Sequence, residues 1–273
     1  MKILAVIPAR FSSTRFAAKV LAKDTGKFLI QHTYEQACLA ELPDKVIIAA
    51  DDEKVVAAAD SFGAKCILTS VEHKSGTDRI AEAVAELDVD IVVNLQADEP
   101  EIDPANIDYL ARLLMDNPDY PMATLCAEFQ TTEQIADPNI VKVIISSCVV
   151  RDAYCEKEKM DSCFRRNDSM QNTMGRAIYF SRLPIPYDRD ASGVGNVRQY
   201  LRHLGIYAYR KEFLLKITKL PQTPLEKIEK LEQLRVIENG HKILVGKVEH
   251  TCDGIDTPEQ YAEFVERYQR EQK

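Results

Sequence analysis

Four short runs of apolar and β-branched residues, Lys2–Pro8, Lys45–Ala50, Lys65–Leu68 and Asp90–Gln96, constrain this chain more than any other feature. Each is short for a helix and continuous rather than alternating, so each reads as a strand buried on both faces. Segments with helical period lie between them. Phe28–Leu42 sets Leu29, Ile30, Thr33, Tyr34, Ala37 and Cys38 on one face, and Glu53–Phe62 does the same with Val55, Val56, Ala59 and Phe62. Strand alternating with helix gives a parallel sheet in a doubly wound, Rossmann-like α/β fold. Ser75-Gly-Thr-Asp78 carries a capping pattern ahead of Arg79–Leu87, either a plain cap or a place where free N–H groups meet an anion.

The second half changes character. Pro121–Phe129, Asn139–Val150, Arg176–Phe180, His203–Tyr209 and Lys242–Glu249 read as strands with few helices between them, which extends the parallel half into a mixed sheet. One helix is predicted over Pro224–Asn239, carrying Leu225, Ile228, Leu231 and Leu234 and ending at Gly240. Thr257-Pro-Glu-Gln260 supplies an N-cap, a proline at the first helical position and a capping-box partner for the last helix. Arg151–Gly175 has no apolar period and reads as a mobile insertion. The expected organisation is a single domain over residues 1–273, with one half over about 1–120, a second over about 121–250 and the insertion at 151–175.

Charge narrows the function classes. A net charge of −8 argues against general affinity for nucleic acid or anionic membrane, so small-molecule partners are expected. Ile3–Ile7 is too short for a signal-peptide core, and no later segment approaches a membrane span, which points to the cytoplasm. Seven scattered cysteines, odd in number and without a Cys-x-x-Cys pair, suit reduced thiols better than disulfides or a zinc site.

Against that acidic background the first loop is an exception, with Arg10, Arg15 and Lys19 and the hydroxyls Ser12, Ser13 and Thr14 directly after the first strand. Ligands of open α/β sheets bind at the carboxyl ends of strands, and two guanidinium groups with an ammonium could grip several phosphates there. The pattern is neither G-x-G-x-x-G nor a P-loop, and solvated charges on a βα connection remain the plain alternative. Asp98 follows the fourth strand and would emerge at the same edge, as half of a magnesium site or as an ordinary acidic turn. Asp256 lies in a turn before the last helix, and nothing in its spacing pairs it with Asp98. On residue type alone His203 is a strand residue, and Glu226, Glu229 and Glu232 among Lys227 and Lys230 are a solvated helix face.

Taken in order, Ile7–Arg15 (Ile-Pro-Ala-Arg-Phe-Ser-Ser-Thr-Arg), His73–Arg79, Leu95–Pro100, Tyr179–Arg182 with Ile185–Arg189, His203–Tyr207, Pro224–Arg235 and Gly254–Pro258 resemble the CMP-Kdo synthetases, the 3-deoxy-manno-octulosonate cytidylyltransferases. The resemblance implies a nucleotide-diphospho-sugar transferase fold, a homodimer, and transfer of CMP from CTP to Kdo with release of pyrophosphate for lipopolysaccharide synthesis. It also implies roles for residues. Arg10, Ser13, Arg15, Lys19, Ser75 and Arg79 would hold CTP, and Asp98 and Asp256 would hold Mg2+, with Lys19 in the catalytic set. Gln96, His203, Tyr207, Glu232 and Gln233 would contact the sugar acid. Alternatives are a cytidylyltransferase for another sugar acid and a relative that binds CTP without turnover. The chain departs from the family at Phe16-Ala17-Ala18, where a Leu-Pro-Gly type turn is usual, at Ala97, where Gly is common, and in the 151–175 insertion.

Overall fold

The computed structural model describes residues 1–12, 16, 18–146 and 174–272. The chain divides into two compact units. The first comprises Met1–Ala123, Gly205–Pro221 and His250–Lys273, and the second Thr124–Leu204 and Gln222–Glu249.

The first unit contains β1 (Ile3–Ala9), β2 (Lys45–Ala50), β3 (Cys66–Leu68) and β4 (Ile91–Asn94), all pairing in parallel in the order β3-β2-β1-β4. β1 and β4 are buried almost throughout, as strands covered on both faces must be. The Gly205–Arg210 part of β8 (Leu201–Arg210) lies antiparallel beside β4, with Tyr207 opposite Asn94. α1 (Leu29–Ala37) stops five residues short of the expected Leu42 with Cys38 exposed, α2 (Glu53–Ser61) forms where the apolar period placed it, and α3 (Gly76–Val84) starts three residues before the expected Arg79 because Ser75 caps it. A Cβ at Gly76 would approach Pro8 Cγ to 3.2 Å, so the glycine lets the start of α3 pack closely on the end of β1. α4 (Pro104–Asp116) was not anticipated, although Asp103 and Pro104 are a cap and first-turn proline ahead of Ile107, Leu110, Ala111 and Leu114. α6 (Lys211–Ile217) was missed in the same way.

In the second unit β5 (Met122–Glu128), β9 (Ile243–Lys247), β7 (Met174–Ser181) and β6 (Lys142–Ser146) follow one another from the start of β8, and β6 pairs back onto β8 through Lys142 and Arg202. The strand order therefore returns to its beginning. The described pairings here are antiparallel, whereas those among β1 to β4 are parallel, so the α/β fold is mixed as expected. α5 (Thr132–Ala136) is short. The insertion assigned to 151–175 lies outside the described residues up to 173, and Met174 and Gly175 belong to β7 rather than to a loop.

The long helix predicted over Pro224–Asn239 is a correction. The chain forms α7 (Pro224–Glu229) and α8 (Gln233–Glu238), separated at Lys230, whose φ of 54° and ψ of 44° are left-handed. Leu231 is buried but Ile228 is 77% exposed, so the apolar stripe that suggested one helix does not face one core. Gly240 ends α8 with a φ of 77°, as its position predicted. α9 (Pro258–Glu271) closes the chain with the full Thr257–Gln260 capping box.

Candidate active site

β1 delivers Arg10 and Phe11 to its carboxyl end, and two tethers set the loop that follows. Phe11 N–H donates to Asp51 Oδ1 (2.8 Å), while the Arg10 guanidinium donates to the His73 carbonyl (3.1 Å). Asp51 also accepts from Arg79 (3.2 Å), whose guanidinium is fully buried and donates to Thr69 Oγ1 (2.6 Å) and the Ser70 carbonyl (3.3 Å). Burial lowers the pKa of that guanidinium, and Asp51 opposes the shift. Arg79 Nε, buried, has no hydrogen-bond partner among the described residues. Ser75 Oγ accepts from Asp78 N–H (3.1 Å) as the cap of α3. Thus Ser75 and Arg79 are engaged in the scaffold beneath the loop. Sequence reasoning missed Asp51, although it follows β2 by the rule that singled out Asp98.

After the loop the chain turns into a 3-10 turn at Lys19–Leu21, and Ala18 before it is left-handed with φ 51° and ψ 30°. Ala17 lies outside the described residues, as do Ser13 and Arg15, the other two loop residues expected at a phosphate site. A non-glycine residue in this region carries the Cβ penalty that glycine avoids, so this chain's Ala18 stands at a loop position where the backbone favours glycine.

The turn buries Lys19 to 8% exposure. Its Nζ donates to Asp98 Oδ2 (2.6 Å), to the Ile255 carbonyl (2.6 Å) and to Asp256 Oδ1 (3.2 Å). Two carboxylates 158 positions apart (256 − 98) thus share one cation, a pairing that spacing could not reveal. Backbone and packing fix the arrangement. Ile255 N–H donates to the Asp98 carbonyl (2.8 Å), and the Ile255 side chain packs with Leu29, Tyr261 and Phe264, with Phe16 and Val265 against them. Asp98 and Asp256 keep side-chain exposures of 28% and 43%, so the pair faces water on one side. In this structure Lys19 is directed at the carboxylates rather than standing free over the loop. Two carboxylates and one carbonyl oxygen are hard donors converging on one cation position. Among the described residues no group of three or more His, Cys, Asp or Glu side chains gathers to hold a metal, here or elsewhere.

Gln96 and Tyr207 also lie in the first unit, where Gln96 Nε2 donates to the Gly205 carbonyl (2.7 Å) and Tyr207 stands opposite Asn94. His203, Glu232 and Gln233 lie in the second. His203 is buried, with Nε2 2.9 Å from Thr124 Oγ1 and its ring edge-on to Phe180 at 4.8 Å. Burial pushes the imidazole pKa down to about 3. Thr124 Oγ1 also donates to the Leu204 carbonyl at 3.1 Å. Glu232 precedes α8 as its cap residue, and Gln233 opens the helix and is buried.

The comparisons with known proteins agree with this geometry. Residues 4–243 match the cytidylyltransferase family. A 3-deoxy-manno-octulosonate cytidylyltransferase of Solibacter usitatus is 46% identical over 94% of this chain and 91% of its own length. That of Rhodopirellula baltica is 42% identical over 98% of both chains. A CMP:2-keto-3-deoxy-manno-octonic acid synthetase solved in complex with CTP superposes with a TM-score of 0.82 at 37% identity, over 99% of this chain and 100% of that one. A 4-diphosphocytidyl-2C-methyl-D-erythritol synthase from Anaerococcus prevotii shares only the fold, with 11% identity, a TM-score of 0.59, and coverage of 98% of this chain and 96% of that one. This chain belongs to the cytidylyltransferase family, among the 3-deoxy-manno-octulosonate cytidylyltransferases.

Proposed function

We propose that this enzyme transfers CMP from CTP to Kdo, giving CMP-Kdo and pyrophosphate. The observation that carries the reading is the meeting of Lys19, Asp98 and Asp256 around one cation position. A triphosphate brought to this edge would be repelled by two bare carboxylates, and a shared cation removes that repulsion. Asp98 and Asp256 fit Mg2+, which takes one or two carboxylates and completes its shell with water and phosphate oxygens. When bound, Mg2+ would supply charge neutralisation at the transferring phosphate.

The chain's own residues position and neutralise. Arg10, Ser13, Arg15 and Lys19 are assigned to the CTP phosphates and Ser75 and Arg79 to holding the nucleotide, Arg79 also tying together Asp51, Thr69 and Ser70. Gln96, His203, Tyr207, Glu232 and Gln233 are assigned to the sugar acid. The Kdo anomeric hydroxyl attacks the α-phosphorus in line and pyrophosphate leaves, so no covalent protein nucleophile is required. The reading extends to a cytoplasmic homodimer that feeds lipopolysaccharide synthesis; no helix among the described residues is long and apolar enough to cross a membrane.

Pyrophosphate release, measured with each nucleoside triphosphate against a panel of sugar acids, tests the assignment. CTP with Kdo should exceed every other combination by at least about 10²-fold in kcat/KM, since a site built to hydrogen-bond specific groups rejects analogues lacking them. A faster reaction with another sugar acid would reassign the substrate, and tight CTP binding without turnover would make the protein a binder.

A further inference from the structure

The motif Tyr179–Arg182 has no part in the chemistry above, yet its last residue holds the break between α7 and α8. Arg182 Nε donates to the Glu229 carbonyl (2.7 Å), one terminal nitrogen to the Pro138 carbonyl (3.0 Å) and the other to the Lys230 carbonyl (3.5 Å). The first and third of these acceptors are the carbonyls that a helix end leaves without intrahelical partners. Glu229 reciprocates. Its carboxylate accepts from Ser181 Oγ (2.7 Å) and from the Arg182 N–H (2.9 Å), so the end of α7 is bound to the end of β7 by both side chain and backbone.

The clamp is itself anchored. Lys142, fully buried on β6, donates Nζ to the carbonyls of Asp137 (2.6 Å), Ile140 (2.7 Å) and Arg182 (2.8 Å). On the other side Arg235 of α8 forms a buried two-pronged pair with Glu226 of α7, at 2.9 and 2.6 Å, and Leu225 N–H donates to Glu238 (3.0 Å). Both helices are therefore held, and the segment between them must turn at Lys230. Lysine pays the Cβ penalty of the left-handed region, so the turn is imposed from outside rather than preferred locally. Two and three residues beyond it stand Glu232 and Gln233.

We propose that Arg182 is a positioning residue for the sugar acid. It imposes the Lys230 turn and so fixes where Glu232 and Gln233 stand, without touching substrate itself. The proposal rests on the assignment of Glu232 and Gln233 to the sugar acid given above. The Arg182 guanidinium reaches its three carbonyls from three separate nitrogens, whereas an ammonium would have to reach all three from one, so Arg182→Lys keeps the charge and loses the geometry.

Steady-state kinetics in both substrates, with amide hydrogen exchange over 229–235, test it on Arg182→Ala, Arg182→Lys, Lys230→Gly, Arg182→Ala/Lys230→Gly and Glu232→Ala. Arg182→Ala should raise KM for Kdo at least tenfold, leave KM for CTP within twofold and speed exchange at 230–233. Arg182→Lys should do the same more weakly, and it carries the test if the alanine variant does not fold. Lys230→Gly alone should change little, because glycine accepts the turn freely; added to Arg182→Ala it should recover at least half of the lost Kdo affinity. Unchanged exchange, equal changes in both KM values, or no recovery with glycine would overturn the positioning role. A normal Kdo KM in Glu232→Ala, with exchange altered in Arg182→Ala, would overturn it through its premise and leave a purely structural clamp.

Discussion

The Lys19 site and the Arg182 clamp are both cation-centred, and they differ in what the cation faces. Lys19 meets two side-chain carboxylates that keep 28% and 43% of their surface exposed. Arg182 meets three backbone carbonyls, and the neighbouring Arg235–Glu226 pair is buried on both sides, at 8% and 4% side-chain exposure. A half-open carboxylate pair can exchange its partner for another cation, whereas a buried ion pair such as Arg235–Glu226 can only be kept or broken. The first arrangement suits chemistry and the second suits architecture.

The comparison breaks first at the carboxylates. Asp98→Asn and Asp256→Asn should each lower kcat by at least about 10²-fold, and the double variant should be little worse than either alone, as expected of residues serving one cation. Rates over a Mg2+ titration check this. Losses that multiply, or turnover that survives chelation, would mean that the two aspartates act separately.

A paired test sharpens the contrast between exchangeable and fixed cations. Arg235→Met strands the buried Glu226 carboxylate and should cost about 3–5 kcal/mol in urea unfolding. Lys19→Met leaves its two carboxylates partly in water, so it should cost clearly less stability while lowering kcat by at least about 10²-fold. If Lys19→Met proved the more destabilising variant, its ammonium would be architectural and the reading of an open site would fail.

The two regions were unequally legible. Strands β1 to β4 and the starts of α3 and α9 follow from apolar runs and capping residues, which are local and survive tertiary context. Asp98 was visible because strand ends in α/β sheets are where ligands bind. Its meeting with Asp256 was not visible, since Ile255 joins them through backbone bonds and core packing that leave no periodic trace. Around Lys230 the apolar stripe misled outright, because Arg182, far away in sequence, overrides a strong local helix preference. His203 was read as a strand residue on residue type and as a sugar contact by resemblance, and its burial beside Thr124 and Phe180 shows an environment that neither reading contained.

The smallest expected effect concerns that histidine. With its pKa pushed down to about 3, His203 is neutral across the working range, so it cannot meet a sugar-acid carboxylate as a positive charge. The linkage has a definite sign. Between about pH 6.5 and 3 the unfolded chain binds a proton at this position that the native state refuses, so the folded state gains stability with rising pH and loses it as pH falls through that window. One proton corresponds to at most about 1.4 kcal/mol per pH unit, and His203→Gln should remove that slope from urea midpoints measured at pH 7, 6 and 5. The His203 ring resonance should meanwhile stay flat from pH 5 to 8. A resonance that titrates there would place the ring in contact with water and give the second unit a switchable charge, erasing the contrast between an exchangeable cation site and a fixed interior.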